Sequence, residues 1–265
     1  MCELFGMSAR KPTAVNPYLE LLGARGGGSG PHADGWGIAS YNGRAAEVYK
    51  QPEAAAHSRC FSMLAETPRA SALVVAHLRK ANPPEVGRAW ANTHPFEREM
   101  GGHAWVFAHN GKLAGIQDDP RFATRHFRPV GGTDSEHAFC FLLERLTDEV
   151  PPAPGLISSG HLEATLRDAV AALSTLGEFN FLLADGFHLV AYATGRLHLL
   201  ERPCRTGACE DAAVLLATEP LTAEAWTPLP RESIHVFAIG RILVAPSRNP
   251  LPMHCSPSLR AAALG

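Results

Sequence analysis

The sequence predicts an α+β fold in which two antiparallel sheets pack face to face with helices outside them. Two observations carry this expectation. Short apolar runs are joined by hairpin dipeptides, Asn42-Gly43 and Asp185-Gly186, rather than by long crossovers. Two helical patterns interrupt the strand series mid-chain instead of alternating with strands, so a parallel βαβ sheet does not fit.

Each element has its own signal. Glu3 to Ser8 reads as a strand, and Gly37–Tyr41 and Ala46–Lys50 flank Asn42-Gly43, both of which tolerate positive φ. Ala54 to Glu66 reads as a helix, and Ala72–Leu78 and Ala104–Ala108 as buried strands. Thr133 with Glu136 three residues later forms a capping box. The helix it opens has Ala138, Phe139, Leu142, Leu143 and Leu146 on one apolar face. A second helix runs from about His161 to Leu176, with Leu162, Leu166, Val170 and Leu173 in register. Strands return at Phe179–Ala184, Phe187–Ala193, Arg196–Glu201, Ala213–Thr218 and Ser233–Ile239. The expected organisation is one domain over residues 2–245 and a Pro-, Ser- and Ala-rich tail over 246–265.

Composition narrows the function. The chain has 265 residues and a formal net charge of −2, so no basic field points to nucleic acid or an acidic membrane. No apolar run reaches bilayer length, and Met-Cys-Glu-Leu-Phe-Gly lacks the features of a secretory signal. Six irregularly spaced cysteines then read as reduced thiols in the cytoplasm. Thirteen histidines occur without His-Glu-x-x-His or Cys-x-x-Cys, and Cys204 and Cys209 stand in an expected loop, so neither metal nor cofactor is expected.

The chemistry begins at Met1-Cys2. With Met1 removed, Cys2 carries a thiol beside a free α-amine, and an amine of pKa about 8 can take the proton of a thiol near 8.5. Read alone, Cys2 is better taken as a small apolar residue starting a strand. Five later segments give it company: His32-Ala33-Asp34-Gly35-Trp36-Gly37, Ala76-His77-Leu78-Arg79, Asn92-Thr93-His94-Pro95-Phe96, His109-Asn110-Gly111, and Gly131-Gly132-Thr133-Asp134-Ser135-Glu136. Each stands at a strand end, a loop or a helix start, where a rigid scaffold presents polar groups.

In these segments, over roughly Cys2 to Glu136, the sequence resembles the class II glutamine amidotransferases, most of all their compact stand-alone, YafJ-like members. The resemblance implies the four-layer αββα sandwich of the N-terminal-nucleophile hydrolases and attack by Cys2 on a glutamine side-chain amide. It implies Asn110 and Gly111 as the oxyanion hole, Arg79 for the substrate α-carboxylate and Asp134 for its α-ammonium. Asp34 with Gly35 and Gly37 matches a tight turn near the nucleophile. His32 stands where larger relatives carry an arginine-glycine pair, and is taken with Asp34 as a candidate substrate-binding residue. His77, His94 and His109 are expected as hydrogen-bonding support, and Gly26–Gly30 as a loop beside the glutamine pocket.

The partners implied are glutamine or a γ-glutamyl amide, and a separate ammonia-accepting synthase, since no second catalytic domain fits before the tail. Oligomeric state is not legible. The alternatives are a stand-alone γ-glutamyl amide hydrolase like that of ergothioneine synthesis, or an inactive ligand-binding protein. Glu3 after the cysteine, where the ergothioneine-type enzyme usually has a basic residue, favours the amidotransferase.

Overall fold

A computed structural model describes residues 2–81, 87–147, 149, 157–203 and 211–244. The expected tail over 246–265, and Cys204, Cys209 and Cys255, lie outside the described residues. The order is β1 (Glu3–Ala14), α1 (Asn16–Arg25), β2 (Gly35–Asn42), β3 (Ala45–Gln51), α2 (Arg59–Glu66), β4 (Ala70–Arg79), β5 (Phe96–Met100) and β6 (His103–Leu113). Then follow α3 (Asp134–Thr147), α4 (Ser159–Ser174), β7 (Gly177–Ala184), β8 (Leu189–Ala193), β9 (His198–Arg202), β10 (Ala213–Ala217), β11 (Thr227–Pro228), β12 (Ile234–Ala238) and β13 (Arg241–Val244).

One sheet has the order β11-β9-β10-β1-β4-β2-β3 and the other β13-β12-β8-β7-β6-β5. Every pairing is antiparallel. Three apolar layers hold the molecule together. Phe5, Met7, Trp36 and Val74 pack under α1 and α2 with Leu19 and Phe61. Leu4, Val75, Val106, Leu182 and Leu216 fill the space between the sheets. Phe107, Phe179 and Phe181 pack under α3 and α4 with Phe139, Leu142, Leu166 and Leu173. This is the expected αββα sandwich. The period of two on β1 sends Phe5 and Met7 to the helices and Leu4 between the sheets. Cys2, in phase with Leu4, therefore starts the chain on the inter-sheet side. Among the described residues no helix is long and apolar enough to cross a membrane.

Several local expectations shift. The helix expected over Ala54–Glu66 is a 3-10 turn at Ala55–His57 and then α2, divided at Ser58, whose side chain caps α2 by accepting from Phe61 N (3.2 Å). In the first hairpin Asn42 pairs with Ala45, so the turn residues are Gly43 (φ 61°) and Arg44. Only half of the capping box forms. Thr133 accepts from Glu136 N at 3.1 Å, but the Glu136 carboxylate turns away to Gly131 N (2.7 Å) and the Arg98 guanidinium.

Four elements had no expectation: α1, β5, β13 and the two-residue strand β11. Helix α1 starts on Asn16-Pro17, a helix-start signal, and Asn16 fastens it to α2 through the carbonyls of Ala65 and Thr67, both at 2.6 Å. Strands β5 and β13 lie at the two edges of the second sheet. A charged edge strand such as Phe-Glu-Arg-Glu-Met carries little hydrophobic pattern.

Candidate active site

Strand β1 lies between β10 and β4 in the middle of its sheet, and its start meets β6 of the facing sheet. There Cys2 N donates to Asn110 Oδ1 at 3.1 Å. The Cys2 thiol lies against the Lys80 peptide, accepting from its N–H at 3.3 Å and lying 3.4 Å from its carbonyl oxygen. Burial pushes the Cys2 pKa up, while the Lys80 N–H and the nearby Arg79 charge pull it back only in part. A thiol so placed stays protonated at neutral pH and needs a base beside it to become a nucleophile.

Asn110 is fully buried on β6, opposite Asn180 of β7. Asn180 Nδ2 donates to the Asn110 carbonyl (2.8 Å), and Asn180 Oδ1 accepts from Gly195 N (2.9 Å). With its Oδ1 on Cys2, Asn110 is left with a buried Nδ2 that has no hydrogen-bond partner. Gly111 is required by close approach: a Cβ there would lie 1.8 Å from the Glu178 carbonyl oxygen. Gly111→Ala is therefore expected to force β6 and β7 apart, costing about 2–4 kcal/mol, read as a lowered urea midpoint.

Asp134 is the first residue of α3. Its Oδ2 accepts from Leu113 N (2.7 Å) and its Oδ1 from Ser135 N (2.8 Å), which fixes the carboxylate between the helix start and the end of β6. Arg79 is buried at the end of β4. Cys2, Arg79, Asn110, Gly111 and Asp134, scattered over more than a hundred residues of sequence, line one cavity of about 340 Å³. That volume lies at the small end of ligand pockets.

Asp34 and His32 are not among the lining residues. Asp34 N donates to the Arg79 carbonyl (3.0 Å) and its Oδ2 accepts from Ala81 N (2.9 Å), so it braces the turn holding Lys80 against the thiol. Burial raises its pKa, but the Ala81 and Arg88 hydrogen bonds outweigh that and hold the carboxyl below the usual range. His32 Nδ1 lies 3.3 Å from the Arg25 carbonyl, at the end of α1. The Gly26–Gly30 loop is also absent from the lining. A Cβ on Gly26 would lie 2.5 Å from Ala55 Cβ, and one on Gly30 2.4 Å from the Arg25 carbonyl oxygen, so these glycines serve packing near the end of α1. The wall expected from that loop is supplied instead by Gly111–Asp118, Gly132–Ser135 and Glu178. In the sequence Ala114–Asp118 carries no signal that it faces a pocket.

Three buried histidines lie at the base of the site. His109 Nδ1 is 2.8 Å from Ser135 Oγ and Nε2 is 3.3 Å from the Glu178 carbonyl, so Nε2 donates and Nδ1 accepts from the hydroxyl. His77 Nε2 donates to the His109 carbonyl at 3.2 Å. The His94 ring packs against that of His77 at a tilt of 35°, with ring centroids 4.1 Å apart. Burial lowers all three pKa values, that of His77 to about 3 and that of His94 well below 6.5. Above pH 6.5 neither folded nor unfolded chain holds these protons; below it the unfolded chain takes them up and the fold does not. Stability should fall as pH drops below 6.5, by up to about 3 kcal/mol per pH unit from His77 and His94 together, well before carboxylates titrate near pH 4. Urea midpoints at pH 6, 5.5 and 5 check this, and a flat series would remove it.

Among the described residues no three His, Cys, Asp or Glu side chains are grouped to hold a metal ion. Two facing antiparallel sheets between helix layers, with a cysteine at the head of a central strand and a cavity in front of it, define the N-terminal-nucleophile hydrolase fold. The chain belongs to the class II glutamine amidotransferases: the family model described as "Glutamine amidotransferases class-II" matches residues 1–206. Over 263 residues it is 39% identical to "Putative glutamine amidotransferase YafJ" of Escherichia coli K12, covering 92% of this chain and 100% of that one. A "Putative glutamine amidotransferase" of Haemophilus influenzae is 33% identical, covering 91% and 85%. The crystal structure of a predicted glutamine amidotransferase from Pseudomonas aeruginosa PA01 is 36% identical with a TM-score of 0.67, covering 92% and 100%. The glutamine PRPP amidotransferase of B. subtilis shares the fold, with a TM-score of 0.64 at 16% identity, over 94% of this chain and 50% of that one.

Proposed function

We propose that residues 2–245 form a glutaminase domain in which Cys2, freed by removal of Met1, cleaves the side-chain amide of glutamine. The observation that carries this reading is the Cys2 N to Asn110 Oδ1 hydrogen bond, because it orients the nucleophile and leaves Asn110 Nδ2 as an unused buried donor beside it. The α-amine takes the thiol proton as sulfur attacks the amide carbon. The carbonyl becomes an oxyanion, stabilised by Asn110 Nδ2 and the Gly111 N–H. Collapse breaks the C–N bond, and the α-ammonium returns the proton so that ammonia leaves. Water, deprotonated by the same amine, then opens the γ-glutamyl thioester to glutamate and regenerates the thiol. Arg79 holds the substrate α-carboxylate through paired hydrogen bonds and Asp134 holds its α-ammonium. Asp34 acts through the backbone it braces, and His32 through the end of α1. The nitrogen goes to a separate synthase that accepts ammonia.

One observation supports the γ-glutamyl amide hydrolase as a second reading. The cavity lining includes Gln117, Asp118 and Glu178 besides the residues assigned to glutamine, and these polar groups could meet a substituent on the amide nitrogen. Release of ammonia from glutamine, measured beside amine release from a panel of γ-glutamyl amides, separates the two. Turnover of none of them by correctly processed protein would leave only a ligand-binding role. Arg79→Lys is expected to raise KM for glutamine by roughly 10- to 100-fold with kcat nearly unchanged, since an ammonium cannot reproduce the two-pronged contact. An unchanged KM would remove Arg79 from carboxylate binding.

A further inference from the structure

Strand β6 changes its surroundings where it meets the site. Strand β5 pairs with it only as far as Phe107, so at Asn110 and Gly111 its one sheet neighbour among the described residues is β7. Phe179 of β7, opposite Gly111, uses both backbone groups on Thr194. Its N–H donates to Thr194 Oγ1 (2.9 Å), and its carbonyl accepts from Thr194 N (3.2 Å). In an antiparallel ladder a residue's N–H and C=O point to the same side, and bonded and non-bonded pairs alternate along the strands. Phe179 and Gly111 therefore form a non-bonded pair, and the N–H of Gly111, a residue that lines the cavity, turns away from β7. The carbonyl of Asn110 turns the other way, toward Asn180.

These two groups belong to one peptide. In a planar trans unit the Asn110 carbonyl and the Gly111 N–H point in opposite directions, so whatever holds the carbonyl toward β7 aims the N–H away from it. Glycine lends that peptide little steric hold of its own. Asn180 supplies one. Its Nδ2 donates to the Asn110 carbonyl at 2.8 Å and lies 3.3 Å from Glu178 Oε1, while its Oδ1 accepts from Gly195 N at 2.9 Å. Two acceptors facing its NH₂ and one donor facing its oxygen leave the amide a single orientation. Asn180 is fully buried and in phase with Leu182 and Ala184, in the otherwise apolar layer between the sheets. An amide there is costly unless bonded. Capping the Gly195 turn would need only its oxygen; the NH₂ serves Asn110.

On the reading of this site as a glutaminase, we propose that Asn180 is a positioning residue for the oxyanion hole: it fixes the Asn110–Gly111 peptide so that the Gly111 N–H faces the carbonyl oxygen under attack. The same bond polarises the peptide, since a carbonyl that accepts a hydrogen bond makes the N–H of its unit a stronger donor. Asn180 does not itself line the cavity. Its effect is therefore confined to the step in which negative charge forms on oxygen, and substrate binding is left alone.

Steady-state hydrolysis of glutamine by Asn180→Leu protein, beside the rate at which iodoacetamide alkylates Cys2, tests this. Leucine is close in volume and suits the apolar layer but has no donor. Asn180→Ser, too short to reach the Asn110 carbonyl, repeats the measurement should leucine disturb folding. Loss of one neutral hydrogen bond behind the donor is expected to lower kcat by roughly 3- to 15-fold. Glutamine binding and alkylation form no oxyanion, so KM and the alkylation rate should stay within about twofold of the parent. An unchanged kcat overturns the proposal. So does a fall in kcat accompanied by a raised KM and an altered alkylation rate, which marks a general loosening of β6 and β7. Parent protein that lacks Met1 and releases no ammonia from glutamine would instead overturn the glutaminase reading, and this inference with it.

Discussion

Cys2→Ala is expected to reduce glutamine hydrolysis by at least about 10⁴-fold, to the background of the assay, while thermal unfolding stays near that of the parent. In the proposed mechanism nucleophile and base reside in one residue, so the substitution removes the thiol but leaves the α-amine. What survives is the binding set and the oxyanion donors, which alone give modest acceleration in enzymes of this logic. Cys2 is half-buried at a strand start, so loss of one sulfur costs little packing. Residual activity within tenfold of the parent would mean that another group attacks the amide.

The second large effect concerns Asn110. Asn110→Ala is expected to lower kcat by roughly 100- to 1000-fold, or about 2.7–4 kcal/mol, the usual cost of one oxyanion donor. Alanine also frees the Cys2 N–H, so Asn110→Asp is the sharper variant. Aspartate keeps an acceptor for Cys2 N but has no N–H to offer, and it puts a negative charge where the oxyanion forms. An equal or larger loss in Asn110→Asp, with Cys2 still open to alkylation, assigns the effect to the donor. A near-normal rate in either variant would leave the Gly111 N–H or another group as the main stabiliser.

Much of the scaffold was legible because its strands are buried on at least one face and end in recognisable turns. The runs around Val74, Phe107 and Leu182 sit where their apolar pattern places them. Edge strands β5 and β13 and helix α1 were not legible, since each depends on neighbours more than on its own periodicity. The site separates in the same way. Motif positions identified residues that meet at one cavity, Cys2, Arg79, Asn110, Gly111 and Asp134. They did not indicate which wall each neighbour builds. A run of glycines marks close backbone approach, and in Gly26–Gly30 that approach is to Arg25 and Ala55 rather than to the cavity. Asp34 stands beside the site in sequence and in space, yet its carboxylate is taken up by Ala81 and Arg88. The support from Lys80 came from backbone, which no residue type announces. The hold of Asn180 on the Asn110 carbonyl depends on strand register, a property of the packed structure alone.

The central claim is that Cys2 attacks a γ-glutamyl carbon. Its most direct test is intact-mass and peptide analysis after exposure to diazo-oxo-norleucine, a glutamine-shaped electrophile. One adduct per chain is expected, on Cys2, only in molecules that have lost Met1, with labelling slowed by excess glutamine and absent from Cys2→Ala. Correctly processed protein that takes up no label, or takes it up on Cys60 instead, would contradict the account.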